Sequence, residues 1–305
     1  MSTTTDRKAA VGVIQAVAGY GWWGFVTALY YHWLIGPNPL DLVSWRAITA
    51  LPVVFAMVIA SGSFPELRET VGDWSKLRWL LLSSALILVN WFVFIIAVVN
   101  EKLVDASLGY YLNPLVAVAL GAFILRERLR VVQWVAVGFA FLGVAWLVVS
   151  IGSLPWIAIS LAISFPLYAL IRKQCPSSAV VGLTVEMMFL TPLLTCICIV
   201  LLFRGESAIQ TGTTSQVLIL PLSGLVTVVP LAFFSAAARR LQLSTVGMLQ
   251  YIAPSGQLFM AITVFGEVVD RNLWIAFACV WVGIVIYSVE SLRHRQARTP
   301  SMEPD

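Results

Sequence analysis

The chain alternates between long apolar stretches and short polar ones. Apolar runs lie near residues 10–33, 41–61, 78–98, 103–125, 132–150, 153–172, 181–203, 216–238, 243–265 and 271–291. Each is close to the roughly 20 residues a helix needs to cross about 30 Å of hydrocarbon. The pattern therefore predicts an all-α membrane protein with ten transmembrane helices. Connections between runs are short, so consecutive helices are expected to be antiparallel neighbours. The first run lacks a small-residue cleavage site and reads as a span, not a removable leader. Past Ser291 the chain becomes polar, and a disordered tail is expected over 292–305.

Composition agrees with a lipid environment. Of 305 residues, 60% are hydrophobic and 11% charged, against roughly 25% charged in soluble domains. The net charge of +4 does not point to nucleic acid, because the cations sit between apolar runs and form no patch. They report topology instead, since cytoplasmic loops are enriched in Lys and Arg. With the N-terminus inside, cytoplasmic segments hold Arg7, Lys8, Arg68, Lys76, Arg78, Arg126, Arg128, Arg130, Arg172, Lys173, Arg239, Arg240, Arg293, Arg295 and Arg298. Outer loops hold only Lys102, Arg204 and Arg271. Both termini are thus expected in the cytoplasm, with the protein in the cell's inner membrane. Cys175, Cys196, Cys198 and Cys279 show no CxxC spacing, and His32 and His294 are the only histidines. Neither a metal site nor a cofactor is expected.

Sliding the chain on itself gives one recurrent offset, 140 residues. It pairs Tyr111 with Tyr251, Pro114 with Pro254, Glu127 with Glu267, Trp134 with Trp274 and Gly143 with Gly283. Pro52 and Pro192, Phe94 and Phe234, Ala97 and Ala237, and Leu103 and Leu243 follow the same shift. The expected organisation is an N-terminal five-helix repeat over 1–150 and a C-terminal one over 151–291. Five is odd, so the second repeat enters from the opposite side and the two are inverted. Inverted repeats supply two equivalent faces, one for each side of the membrane, which is the physical basis of alternating access. A secondary transporter for a small molecule is the favoured reading. An integral-membrane enzyme or a non-transporting sensor is the alternative. No HExxH, paired-carboxylate, Ser/His/Asp or phosphate-loop pattern supports the enzyme.

The stretch Asp105-Ala-Ser-Leu-Gly-Tyr-Tyr-Leu-Asn-Pro114-Leu resembles the fourth-helix signature of RarD-type permeases, in the EamA branch of the drug/metabolite transporter superfamily. Further segments match in order: Gly152-Ser-Leu-Pro155, Ser164-Phe165 with Tyr168 and Arg172-Lys173, Val226-Thr227 with Pro230-Leu231, and Leu243-Ser-Thr-Val-Gly247 with Gln250-Tyr251 and Pro254. The resemblance covers roughly residues 10–290. It implies a ten-helix carrier of metabolites or drugs, with chloramphenicol sensitivity as a family association. One departure stands out: Arg126 precedes Glu127 where the family has Gly-Glu, whereas Gly266-Glu267 is intact. An altered turn is expected in the first half only.

Candidate transport residues follow from the cost of polar groups in lipid. Proline removes an N–H and frees the carbonyl four residues earlier, so Pro114, Pro230 and Pro254 are candidate helix breaks. Tyr110, Tyr111, Asn113, Gln250 and Tyr251 cluster around two of them and read as substrate-lining. Arg46 and Glu186 are charges well inside spans, where a charge normally faces a cavity or a partner. They are mates at the 140 offset, at different depths, so a direct pair between them is not expected. Arg46 suits an anionic substrate group, Glu186 a proton or a cationic one. Trp22, Trp23, Asn90, Trp91, Tyr168 and Thr227 complete the expected lining. The competing reading of each is packing or a structural hydrogen bond. Small residues such as Gly138, Gly143 and Ala236–Ala238 suit close helix packing, within one chain or across a homodimer.

Overall fold

A computed structural model describes residues 2–99, 103–152, 156–264, 266 and 270–297. Among them there is no strand. Helix α1 (Ser2–Gly21) passes through a π-helical turn (Trp22–Thr27) into α2 (Ala28–Trp33). There follow α3 (Pro39–Ala60), α4 (Phe64–Gly72), α5 (Trp74–Val99), α6 (Leu103–Phe123), α7 (Val131–Ile151), α8 (Trp156–Gln174) and α9 (Ala179–Phe203). Short α10 (Ala208–Thr211) and α11 (Thr214–Ile219) lead through a 3-10 turn into α12 (Ser223–Arg240). The last are α13 (Leu243–Gln250), α14 (Ile252–Thr263) and α15 (Arg271–Ala297).

Helix ends carry recognisable caps. Pro39 lies in the first turn of α3, where its missing N–H costs nothing, and the Asn38 side chain accepts from the Leu40 amide at 3.0 Å. Ser178 caps α9 through the Val181 amide at 3.3 Å. Gly152 ends α7 with φ +76°, a left-handed conformation that glycine adopts without strain.

Nine helices among the described residues are long and apolar enough to cross a membrane: Lys8–Trp33, α3, α5, α6, α7, α8, α9, Thr214–Arg240 and Arg271–Ser291. The expected run at 243–265 is divided at Tyr251 into α13, of 8 residues, and α14, of 12. Neither half reaches spanning length alone. Pro254 explains the division, because it cannot donate to the Gln250 carbonyl and its ring crowds that oxygen. The breaks expected at Pro114 and Pro230 do not occur; α6 and α12 run through them. Opening a helix in hydrocarbon exposes further polar groups, so a single missing bond is tolerated. The expected tail also changes, since α15 stays helical to Ala297. Its last turns, rich in Leu, Arg, Gln and Ala, are good helix formers that need no lipid. Glu267 and residues 153–155 lie outside the described residues.

The surface is apolar and the interior partly polar. Phe203, Val131, Phe123, Val149 and Ile59 are among the most exposed large side chains, whereas Asp41, Asn90, Asn113, Arg172 and Glu186 are buried. Lipid supplies the missing cover for the former, and helix packing supplies the partners of the latter. Helix α3 lies antiparallel against α9, with Thr191 Oγ1 donating to the Ala47 carbonyl at 3.1 Å and Val58 packed near Val181 and Val185. In α6 and α13–α14, the Tyr251 hydroxyl donates to the Tyr111 carbonyl at 3.2 Å, across 140 residues.

The turn after α6 keeps its shape despite the Arg. Arg126 adopts φ +54° and Gly266, its counterpart, φ +67°. The altered turn expected in the first half is therefore not found; Arg126 accepts the left-handed conformation at some cost in strain. This turn lets Glu127 reach the start of α13. Its carboxylate accepts from the amides of Leu243 (2.5 Å) and Ser244 (2.9 Å) and from the Ser244 hydroxyl (2.7 Å). An anion at a helix N-terminus satisfies free N–H groups and the helix dipole together.

Helices α7 and α15 meet through small residues. A Cβ on Gly143 would fall 2.6 Å from the Ala276 carbonyl oxygen, and a Cβ on Gly283 would fall 2.6 Å from that of Ala136. Both pairs are related by the 140 offset. Gly143→Ala and Gly283→Ala should each destabilise the protein by about 1–3 kcal/mol, and by similar amounts, because each meets the same kind of backbone contact. Thermal unfolding of the two variants in one detergent checks both the loss and its equality.

Candidate functional site

Two charged layers lie at different depths. Arg46 stands seven residues from the start of α3 and Glu186 seven from the start of α9. With Ala47 level with Thr191 on antiparallel helices, the two charges are separated by about 9 Å along the helix axes at 1.5 Å per residue. They do not pair. Each has its own partners.

Around Arg46, five segments converge. Its Nε donates to Thr227 Oγ1 of α12 at 3.1 Å, and that hydroxyl in turn donates to the Ser223 carbonyl at 2.8 Å. The guanidinium carbon sits 4.7 Å from the Trp91 ring centre on α5 and 5.5 Å from that of Tyr31 on α2. Cation–π contacts of this kind replace part of the hydration a buried guanidinium loses. Tyr110 of α6 lies within electrostatic range. Among the described residues, no carboxylate lies within ion-pair distance of Arg46. A charge at mid-bilayer costs about 2.5–3.5 kcal/mol on insertion scales, so an uncompensated one is a functional signal. Arg46 itself is only half-buried.

Around Glu186 the charge is compensated and sealed. Oε1 accepts from Ser83 of α5 at 2.5 Å and faces Arg172 Nε of α8 at 3.5 Å; Oε2 accepts from Tyr168 of α8 at 3.1 Å. Arg172 Nη2 also donates to the Ala179 carbonyl at 3.1 Å. Both charged side chains are at most 1% exposed. Gly182 is what admits the guanidinium, because a Cβ there would lie 1.7 Å from Nη1. Below this pair, Lys173 donates to the carbonyls of Ala238 and Leu241, and Arg239 to that of Cys175. The ends of α8 and α12 thus cap one another with cations.

An aromatic layer fills the space above the pair. Tyr168 stacks on Phe234 at 5.9 Å and 17°, and Phe165, Trp23 and Tyr20 pack around them with centroids 5.2–6.2 Å apart. Tyr20, Tyr168 and Phe234 are almost wholly buried.

The structure brings Arg46, Trp91 and Thr227 together, and separately Tyr168 and Glu186. Trp23 belongs to the aromatic layer. Asn90 is buried beside the Arg46 layer and donates to Ser164 Oγ at 2.9 Å. Asn113 is fully buried; its amide nitrogen, turned toward the main chain, donates to the carbonyls of Leu161 (2.9 Å), Ala162 and Gly109. Tyr111 and Tyr251 lie in a second core with Phe277, and Gln250 ends α13 beside them. Trp22 opens the π-helical turn. That turn faces the α13–α14 junction, with Gly24 against Ala253 and Gly256, so two irregular backbone segments meet in the interior. Arg172, Ser83 and Tyr31 were not among the sequence candidates. The signal for Arg172 was indirect: a lone acid within a span needs a cation nearby. A cavity of about 240 Å³ lies elsewhere, between α1, α7, α13 and α15, where Arg130 is already paired with Glu290 at 2.9 Å.

The chain is similar to known proteins over nearly its whole length. The model of the EamA-like transporter family matches residues 10–149. The chain is 36% identical over 290 residues to protein RarD of Streptomyces exfoliatus, covering 94% of this chain and 91% of that one. It is 37% identical over 294 residues to protein RarD of Escherichia coli strain K12, covering 96% and 98%. The fold is similar to that of a crystal structure with a TM-score of 0.70 at 20% identity, over 94% of this chain and 99% of the other.

Removing one member of the Glu186–Arg172 pair should be far costlier than removing both. Glu186→Leu alone leaves a buried guanidinium unpaired and should cost about 3–5 kcal/mol. The double variant with Arg172→Met should recover most of that loss. A double-mutant cycle of unfolding in detergent measures it; additive losses would show that the two side chains act independently.

Proposed function

We propose that this chain, which belongs to the EamA-like transporter family as a RarD-type permease, is a secondary carrier that moves a small metabolite or drug across the cell's inner membrane by alternating access. In this reading α13 and α14 together form a broken ninth span. The ten spans then make two inverted five-helix repeats, 1–150 and 151–291, with both termini in the cytoplasm. Three features support the arrangement: the reciprocal Gly143–Ala276 and Gly283–Ala136 contacts, the Tyr251–Tyr111 bond across the same offset, and the bias of cations toward one set of loops.

The observation that carries the reading is the asymmetry of the two charged layers. Arg46 is half-buried and, among the described residues, has no acid within ion-pair distance, whereas Glu186 is paired, buried and covered by the aromatic layer. A substrate reaching Arg46 from the outer side meets a closed inner side. Because the halves are related by inversion, opening the Glu186 side while closing the Arg46 side exchanges the roles of symmetry-related helices. Transport then requires the Glu186–Arg172 layer to part.

A proton offers a way to part it. Protonated Glu186 no longer neutralises Arg172, so a proton delivered there weakens the inner layer and couples opening to a pH gradient.

Metabolite profiling of cells lacking or overproducing the protein supplies candidate cargo for reconstituted vesicles. Uptake of such a compound should saturate, need no ATP and be stimulated by the same unlabelled compound inside. Flux that is absent, or linear in concentration, contradicts a carrier. In the same vesicles Glu186→Gln should keep exchange and lose accumulation driven by a pH gradient. Accumulation that persists removes Glu186 from coupling.

A further inference from the structure

We infer that the Arg46 layer is built for an aromatic monocarboxylate, an inference that rests on the transport reading above and names its substrate class. Four observations lead there. Arg46 makes one hydrogen bond among the described residues, through Nε to Thr227, so the planar pair of terminal nitrogens is not committed to a protein acceptor. A carboxylate matches that fork with two parallel bonds. The Tyr31 hydroxyl lies near Thr227 yet, among the described residues, makes no hydrogen bond of good geometry, and it can supply a further donor to the same anion.

Charge balance sets the valence. Among the described residues, the hydrogen-bond and ring partners of Arg46 are Thr227, Trp91 and Tyr31, all neutral. One guanidinium balances one negative charge. A phosphate dianion carries twice that charge, in surroundings where uncompensated charge is costly.

The walls set the rest of the molecule. Trp91 and Tyr31 already present ring faces to Arg46, so a cationic ligand would find those faces occupied and a like charge between them. Tyr110, half-buried and 6.0 Å from Phe94, continues the aromatic wall beside this cation. Rings of this kind favour a ligand ring by edge or offset contact. A short aliphatic acid would satisfy the cation and leave the wall without a partner.

The test uses the full-length protein in lipid nanodiscs and calorimetric binding of matched probes: benzoate against benzamide, indole-3-acetate against indole-3-acetamide, and propionate as the acid without a ring. The wild-type protein should prefer at least one aromatic acid over its amide by tenfold or more, and over propionate by a similar factor. Arg46→Gln should remove the preference for acid over amide, and Arg46→Lys should keep part of it. Size-exclusion profile and melting temperature serve as folding controls. Because the acid–amide comparison on the wild-type protein needs no variant, a misfolded Arg46→Gln does not block the test. No aromatic acid bound better than its amide, or an unchanged preference in folded Arg46→Gln, overturns the inference. An acid that binds through Arg46 but shows no exchange in vesicles leaves the inference standing and defeats the transport reading. Exchange of neutral ring compounds without preference for acids does the reverse.

Discussion

A carboxylate in the interior of a membrane protein needs a counter-charge, and for Glu186 that partner is Arg172. The pair depends on several neighbours at once. Gly182 leaves room for the guanidinium, Ser83 brings α5 to the carboxylate, and Tyr168 links the pair to the rings above it. Three helices are thereby fixed against one another at one depth. The same contacts leave both charged side chains at most 1% exposed, beneath a layer of rings that is itself almost wholly buried. Lys173 and Arg239 extend the layer by capping each other's helix ends. The Arg46 layer gains its meaning by contrast, since among the described residues its charge has neutral partners and no acid within ion-pair distance.

The rest of the fold satisfies the same rule, that polar groups out of water find partners within the protein. Where α13 begins, Glu127 supplies the acceptor from another part of the chain. Asn113, buried in α6, spends its amide on main-chain carbonyls of α8. Where backbones approach closely, as between α7 and α15, glycine removes the side chain that would hold them apart. The irregular backbone is concentrated where the π-helical turn of the first span meets the α13–α14 junction. Such segments are tolerated at membrane depth only when protein surrounds them.

Much of this was legible in the sequence, for physical reasons that differ by element. Membrane-crossing length is a strong signal, so nine spans were read nearly in place. The run at 243–265 looks like one helix in the sequence because hydropathy does not register a break. Prolines were ambiguous: Pro114, Pro230 and Pro254 look alike, and whether a helix opens depends on neighbours that only the fold supplies. Arg46 was legible because an Arg has little reason to sit in an apolar run, and Trp91 and Thr227 lay on other helices at plausible depth. Arg172 was hidden beside Lys173 at a span end, where it counted as a cytoplasmic charge. Ser83 and Tyr31 gave no signal, since serine and tyrosine occur in apolar helices without special purpose. Arg126 shows the opposite case: the sequence suggested a changed turn, yet the backbone adopts the left-handed conformation with an arginine side chain.

The central claim of the proposed mechanism is that Arg46 is reached from the outer side while the Glu186–Arg172 layer holds the inner side shut. Side-dependent thiol labelling tests it most directly, with cysteine introduced at Tyr110 in a chain whose native cysteines have been replaced. An impermeant reagent applied to whole cells and to inside-out vesicles reads access from each face. The account predicts modification from the outer face, and from the cytoplasmic face only when Glu186→Gln is added. Modification from the cytoplasmic face with the pair intact, or a pattern indifferent to Glu186→Gln, would contradict it.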